Sequence, residues 1–171
     1  MSKHDSIGFG KGSLNERDWE VIAAHTHDQG VQRVLEIGAG YSTLLFTELG
    51  LDLVSYETDD KFIDALRQRV PQAQIIRYDY PDFPKEHRRF DMALVDGPGK
   101  GNYDGRKSSM LFARPLADVI FVHDSGRKKE RESIRDVFPS PDWRETKYSG
   151  YMASFVQREA DRDTFLITVT E

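Results

Sequence analysis

"VLEIGAGYSTLLF", residues 34–46, decides how this chain folds. A short apolar run breaks on Gly38 and Gly40, and apolar residues resume at Leu44. That order reads as strand, tight turn, helix. Glycine pairs at such turns ordinarily cradle phosphates at a helix N-terminus. The dinucleotide version asks for a third glycine, and Thr43 stands in its place. Glu36, two residues before Gly38, is also a poor neighbour for a pyrophosphate. The turn suits a ligand that brings positive charge and no phosphate.

Outward from it, strand and helix candidates alternate. "LNERDWEVIAAHTHDQG" places Leu14, Trp19, Val21, Ile22 and Ala23 at helical spacing, with Gly30 as the C-cap. His25 and His27 are expected on the exposed side of that helix's last turn. "RVLEI" is a strand, "YSTLLFTELG" a helix closed by Gly50, and "DLVSYE" a second strand. "DDKFIDALRQRV" is a helix stopped by Pro71, "QIIRYD" a third strand and "FDMALVD" a fourth. "RKSSMLFARPL" is a helix, "DVIFVHD" a fifth strand and "RKKERESIRDVF" a charged helix with a solvated face. The end, from Trp143, alternates apolar and polar residues as two or three antiparallel strands do. Alternating elements require parallel pairing and crossover helices, and "MALV" and "VIFV" are apolar throughout, as strands buried on both faces are. The expected fold is a doubly wound α/β sheet, mostly parallel, ending in an antiparallel hairpin.

A chain of 171 residues is one domain by size, with residues 1–13 a flexible arm. It contains no cysteine, so disulfides and thiolate metal sites are excluded. No apolar run reaches the ~20 residues of a membrane span, and the N-terminus lacks the apolar core of a signal peptide. A cytoplasmic enzyme is expected. The net charge of −5 argues against a surface built to grip nucleic acid.

Ligands of such sheets gather at the carboxyl ends of the strands, near the point where strand order reverses. Those ends carry Glu36, Glu57, Asp79, Asp96 and the pair His123-Asp124. Helix caps and turns explain some acids at these junctions. Five together repel one another unless a cation sits among them. S-adenosylmethionine meets the requirement, since it carries a sulfonium and an ammonium and no phosphate. Glu36 would serve its cationic end through the loop, Gly38 and Gly40 would let the backbone approach, and Tyr41 and Ser42 open the following helix. Glu57 would accept the ribose hydroxyls and Asp79 the adenine amino group.

With these residues the chain resembles the class I S-adenosylmethionine-dependent methyltransferases, through E-x-G-x-G at Glu36, Gly38 and Gly40 and the acid at Glu57. The resemblance implies a seven-stranded sheet with an antiparallel last strand. The stretch from Asp96 to Glu130 is similar to plant glucuronoxylan 4-O-methyltransferases at Asp96, Gly97, Pro98, Gly105, Arg106, His123, Asp124, Arg127 and Glu130. It lacks their cysteines, so a sugar acceptor is not inherited. The reading is methyl transfer to a small-molecule hydroxyl, with His123, Asp124 and Asp96 as the catalytic candidates. His123 is either the general base or a structural histidine held by a neighbouring acid. Asp96 would contact the methionine end of the cofactor or orient the acceptor. Arg106, Arg127 and Tyr103 are the acceptor-binding candidates. Metal-dependent catechol-type enzymes of this family draw carboxylates from the same strand ends and carry an asparagine after the second acid. Ser125 stands there, and no metal is assigned. A non-catalytic cofactor-binding domain and an NAD-binding oxidoreductase are the alternatives; the missing third glycine and Glu36 count against the latter.

Overall fold

The computed structural model describes residues 14–99, 104–139, 142–148 and 152–157. The expected arm at 1–13, Tyr103 and any strand after residue 157 lie outside the described residues. The elements are α1 (Glu16–Asp28), β1 (Arg33–Ile37), α2 (Tyr41–Glu48), β2 (Asp52–Glu57), α3 (Asp60–Arg69), β3 (Gln74–Arg77), β4 (Phe90–Val95), α4 (Lys107–Ala113), β5 (Ala117–His123), α5 (Lys128–Val137), β6 (Trp143–Lys147) and β7 (Met152–Gln157). No helix among the described residues is long and apolar enough to cross a membrane.

Seven strands form one sheet in the order β3-β2-β1-β4-β5-β7-β6. Pairings from β3 through β5 are parallel, whereas β5–β7 and β7–β6 are antiparallel. The chain runs outward from β1 to β3, returns to the middle, and runs the other way from β4. The reversal point is therefore the β1–β4 boundary, where Ile37 pairs Val95.

Neighbouring residues of a strand face opposite sides of the sheet. Val34, Met92, Leu94 and Phe121 join Ile22 of α1 and Phe46 of α2 in one core layer. Leu35, Ile37, Val95, Ile120 and Val122 join Met110 and Ala113 of α4 and Ile134 and Val137 of α5 in the other. Asn15 caps α1 by accepting from the Asp18 N–H at 2.9 Å, which satisfies one of the helix's orphan donors.

No helix connects β3 to β4. Phe83 fills that space instead, stacked on Phe112 at 4.2 Å and on Tyr78 at 4.4 Å between ring centroids. Tyr56 meets Phe83 and Phe112 edge-on, at 6.2 and 5.2 Å. Each aromatic ring buries some 150–250 Å², so one phenylalanine in a loop covers area that a crossover helix would otherwise cover.

His25 differs from the expectation of an exposed ring: it is half-buried, edge-on to Phe121 at 5.2 Å. α5 likewise does not present its charges only to water, because Glu130 is fully buried together with Ser133. A residue-by-residue charge count misses this, since Glu130, Ser133, Ile134 and Val137 share the i, i+3, i+4, i+7 stripe that faces the sheet.

Candidate active site

The carboxyl ends of the five parallel strands lie along one edge of the sheet, in two groups on either side of the reversal point. One group comprises the ends of β1, β2 and β3. The other comprises the ends of β4 and β5.

The glycine turn joins the two groups. Gly38 has φ +97°, a conformation that disfavours any side chain. Its N–H donates to the Tyr56 carbonyl at 2.8 Å, and the Asp96 N–H donates to the Ile37 carbonyl at 2.8 Å. A Cβ on Gly38 would lie 2.6 Å from the Gly97 nitrogen, and one on Gly97 would lie 2.7 Å from the Gly38 Cα. The two turns therefore touch backbone to backbone. At Gly40 a Cβ would meet nothing within 4 Å, so this side of the turn is open.

Glu36 does not face that opening. It is fully buried in β1, and its carboxylate accepts from three hydroxyls. Ser42 donates to Oε1 at 2.5 Å, Thr43 to Oε2 at 2.6 Å and Ser55 of β2 to Oε2 at 2.5 Å. Burial pushes the Glu36 carboxyl up to about 7, against the pull of the three hydroxyl bonds. Thr43 also accepts from the Gly40 N–H at 2.9 Å, so Glu36 fixes the loop through the first turn of α2. Ser42 serves this buried knot; the residue at the N-cap is Gly40. Tyr41 opens α2 and is partly buried.

Glu57 ends β2, with Oε1 accepting from the N–H groups of Thr58 and Asp59 at 2.7 and 2.9 Å. These bonds and that of the Thr58 hydroxyl fix the carboxylate at the strand end. Burial raises its pKa. Asp79 is exposed after β3 and pairs with Arg77.

The second group is a charged cluster. His123 Nδ1 lies 2.7 Å from Asp96 Oδ1 and 3.8 Å from Asp124 Oδ2. Its Nε2 faces Asp18 Oδ2 of α1 at 3.6 Å. Burial acts to lower the His123 pKa, but the Asp96 hydrogen bond and the charges of Asp96 and Asp124 outweigh it, so the net shift is upward. Arg106 Nη1 donates to the His123 carbonyl at 2.8 Å and lies 3.2 Å from Asp96 Oδ1. Its Nη2 donates to Asp124 Oδ2 at 3.1 Å. Arg127 Nη1 reaches the same Asp124 oxygen at 2.8 Å. The Arg106 side chain is 5% exposed and that of Arg127 47%. Of the two arginines, Arg127 is the one accessible to an acceptor, whereas the Arg106 charge is engaged inside.

The five strand-end acids therefore do not form a single ring. Asp96 and Asp124 converge, Glu36 turns into the core, and Glu57 and Asp79 belong to the other group. The missing participant is Asp18, which is buried and accepts from the Asn15 side chain at 2.6 Å. A signal for it existed: Asp18, Ile22 and Thr26 form the buried stripe of α1 at four-residue spacing, and a carboxylate in an apolar stripe requires a partner. Ser109, also missed, donates to the Gly97 carbonyl at 2.9 Å and anchors the β4 turn to α4.

No family model matches the chain, and no curated protein matches it. Neither comparison shows the likeness to the glucuronoxylan enzymes. Solved structures do match. One is the SAH-bound methyltransferase PaMTH1 of Podospora anserina, at TM-score 0.64 and 16% identity over 86% of this chain and 80% of that one. Another is the magnesium protoporphyrin IX methyltransferase ChlM of Synechocystis PCC 6803 with bound SAM, at TM-score 0.61 and 12% identity over 87% of each chain. The T. thermophilus 16S rRNA N2 G1207 methyltransferase RsmC, in complex with AdoMet and guanosine, gives 0.66 and 20% over 88% of this chain and 45% of RsmC. The architecture is thus the Rossmann-like fold of S-adenosylmethionine-dependent methyltransferases. These neighbours span small-molecule and RNA enzymes, so the fold does not select the acceptor.

Proposed function

We propose that the protein is an S-adenosylmethionine-dependent methyltransferase acting on a hydroxyl of a small molecule. The observation that carries this reading is the His123–Asp96 pair, set beside the Gly38–Gly97 contact on a fold shared with methyltransferases. The first group of strand ends suits the cofactor. A turn without side chains at Gly38 and Gly40 admits it closely, and Glu57 stands at the end of the neighbouring strand for the ribose. Asp79 is assigned to the adenine and would exchange its pairing with Arg77 for that contact. When bound, the cofactor supplies an electrophilic methyl group and a neutral thioether leaving group.

The chain's residues then have to hold the acceptor oxygen behind the methyl and take its proton. Asp96 holds the His123 ring through Nδ1, so the proton would go to Nε2, the nitrogen that now faces Asp18. Asp18, 3.6 Å from Nε2, stabilises the imidazolium that results. Asp124 and the exposed Arg127 border the acceptor. In the balanced step the C–S bond breaks, a C–O bond forms, and the hydroxyl proton moves to His123. The acidic residues around His123 disfavour a polyphosphate acceptor, as does the net charge of −5. A cytoplasmic location is part of the same proposal.

Calorimetric titration should show uptake of S-adenosylmethionine and none of NAD; the reverse result refutes the reading. With labelled cofactor and a panel of hydroxylated acceptors, His123→Ala should lower turnover about 10²–10⁴-fold while cofactor affinity stays within twofold. Retained turnover in that variant would make His123 a structural residue. Because the His123 pKa is raised above 6.5 and the neutral ring is the base, the rate should climb with pH through that raised value. A profile flat from pH 6 to 9 contradicts the assignment.

A further inference from the structure

Asp96, His123 and Asp124 each offer one ligand-type atom, and the three atoms lie within 4.8 Å of one another. On composition alone this trio fits a divalent cation. A guanidinium stands there instead. Arg106 Nη1 is 3.2 Å from Asp96 Oδ1, its Nη2 is 3.1 Å from Asp124 Oδ2, and the side chain is buried. From this geometry we infer that Arg106 is the resident cation of the site, a positioning residue that takes the place of a metal ion.

Three observations support the inference. The first is charge. Arg106 and Arg127 both bond Asp124, and Arg106 also reaches Asp96, so these two carboxylates are neutralised before any ion arrives. A divalent cation would add two charges beside the buried guanidinium of Arg106 and the exposed one of Arg127.

The second is the use of the donor atoms. Asp96 Oδ1 and His123 Nδ1 lie 2.7 Å apart and share a hydrogen bond. An ion at the ~2.0–2.6 Å typical of such ligands needs both lone pairs turned toward it. That bond would have to break.

The third is the backbone. Arg106 and Asp124 both have φ +58°, and they are the non-glycine residues with positive φ among those described. Left-handed conformations are strained for residues that carry a Cβ and persist where the surroundings impose them, chiefly at functional sites. Here the two strained residues are the two ends of one ion pair. Gly105, at φ +68°, packs so closely on α5 that a Cβ would meet the Lys129 carbonyl and lie 2.7 Å from the Ser133 hydroxyl. Ser133 in turn donates to the Asp104 carbonyl at 2.8 Å. Arg106 is thus delivered by a clamped backbone rather than by a free surface arm.

The occupancy claim is independent of methyl transfer; its consequence, that proton removal falls to His123 without Lewis-acid help, rests on the proposed function. The test is titration of the full-length chain with Mn²⁺, read by the electron paramagnetic resonance signal of the free ion. The wild type should remove no stoichiometric Mn²⁺ from solution. Arg106→Ala should acquire about one site per chain, and the double variant Arg106→Ala/Asp124→Asn should lose it. One Mn²⁺ bound per wild-type chain, abolished by Asp124→Asn alone, overturns the inference. A folded Arg106→Ala chain that gains no site overturns it too. If circular dichroism shows that Arg106→Ala is unfolded, the wild-type titration decides. Where turnover has been established, it should be unchanged by a chelator; chelator-sensitive turnover counts against Arg106, whereas absence of any turnover counts against the proposed function.

Discussion

Gly38→Ala should remove about 4 kcal/mol of stability. A residue with a Cβ at φ +97° pays roughly 1–2 kcal/mol in backbone strain. The new methyl would also lie 2.6 and 2.8 Å from the Gly97 nitrogen and Cα and 2.8 Å from the Asp96 carbonyl carbon. All three are main-chain atoms at the end of β4, so relief requires moving two strand ends apart, and overpacking of this kind costs about 1–3 kcal/mol. The sum is a large fraction of the roughly 5–15 kcal/mol available to a domain. Urea unfolding measures it as a fall in midpoint at constant slope. Gly40→Ala is the control: its Cβ meets nothing within 4 Å, and the loss there should stay below about 1 kcal/mol. Equal losses at the two glycines would mean that the contact between the turns is not what constrains Gly38.

The second large effect centres on Glu36. Alanine in its place would leave the hydroxyls of Ser42, Thr43 and Ser55 without their common acceptor in a buried site. Each orphaned group costs about 1–3 kcal/mol, so the net loss should be on the order of 3 kcal/mol after the carboxylate's own desolvation is relieved. Glutamine should behave differently, since hydroxyls rotate to accept from an amide. The pH dependence separates the cases. The Glu36 carboxyl titrates near 4.5 when unfolded and is raised to about 7 by burial in the fold. Between those values the folded state binds the extra proton, so stability is greatest below the unfolded value and declines as pH rises through the folded one. A shift of that size corresponds to roughly 3 kcal/mol across the window. Glu36→Gln should flatten this decline between pH 4.5 and 8. Unfolding curves of wild type and variant that stay parallel over that range would rule out Glu36 as the titrating group.

The central strands were legible because "MALV" and "VIFV" are apolar at positions facing both ways, a pattern that demands cover on both sides. The glycine turn and Glu57 were legible because their spacing is local. Arg106 was not. An arginine in a glycine-rich loop has no periodicity to betray burial, and its partners come from a strand 17 and 18 residues downstream. Ser55 escaped for a related reason: it meets Glu36 through the β1–β2 register, which no single-strand pattern reveals. The expected convergence of all five acids failed in part because Glu36 lies within β1, which is covered on both faces, and so enters the core.

The central strands have a kinetic corollary. Every residue of β1 after Arg33 is buried, whereas the outer strand β3 has exposed residues at both ends. Amide protons on β1, β4 and β5 should exchange with deuterium at the rate set by complete unfolding, and those on β3 through smaller openings. Asp96 and His123 sit on the slowly exchanging side and Asp79 on the fast one. On the proposed reading, the residues assigned to proton transfer stand on the slowly exchanging strands and the residue assigned to adenine follows the faster one, so the two halves of the site would differ in their freedom to adapt.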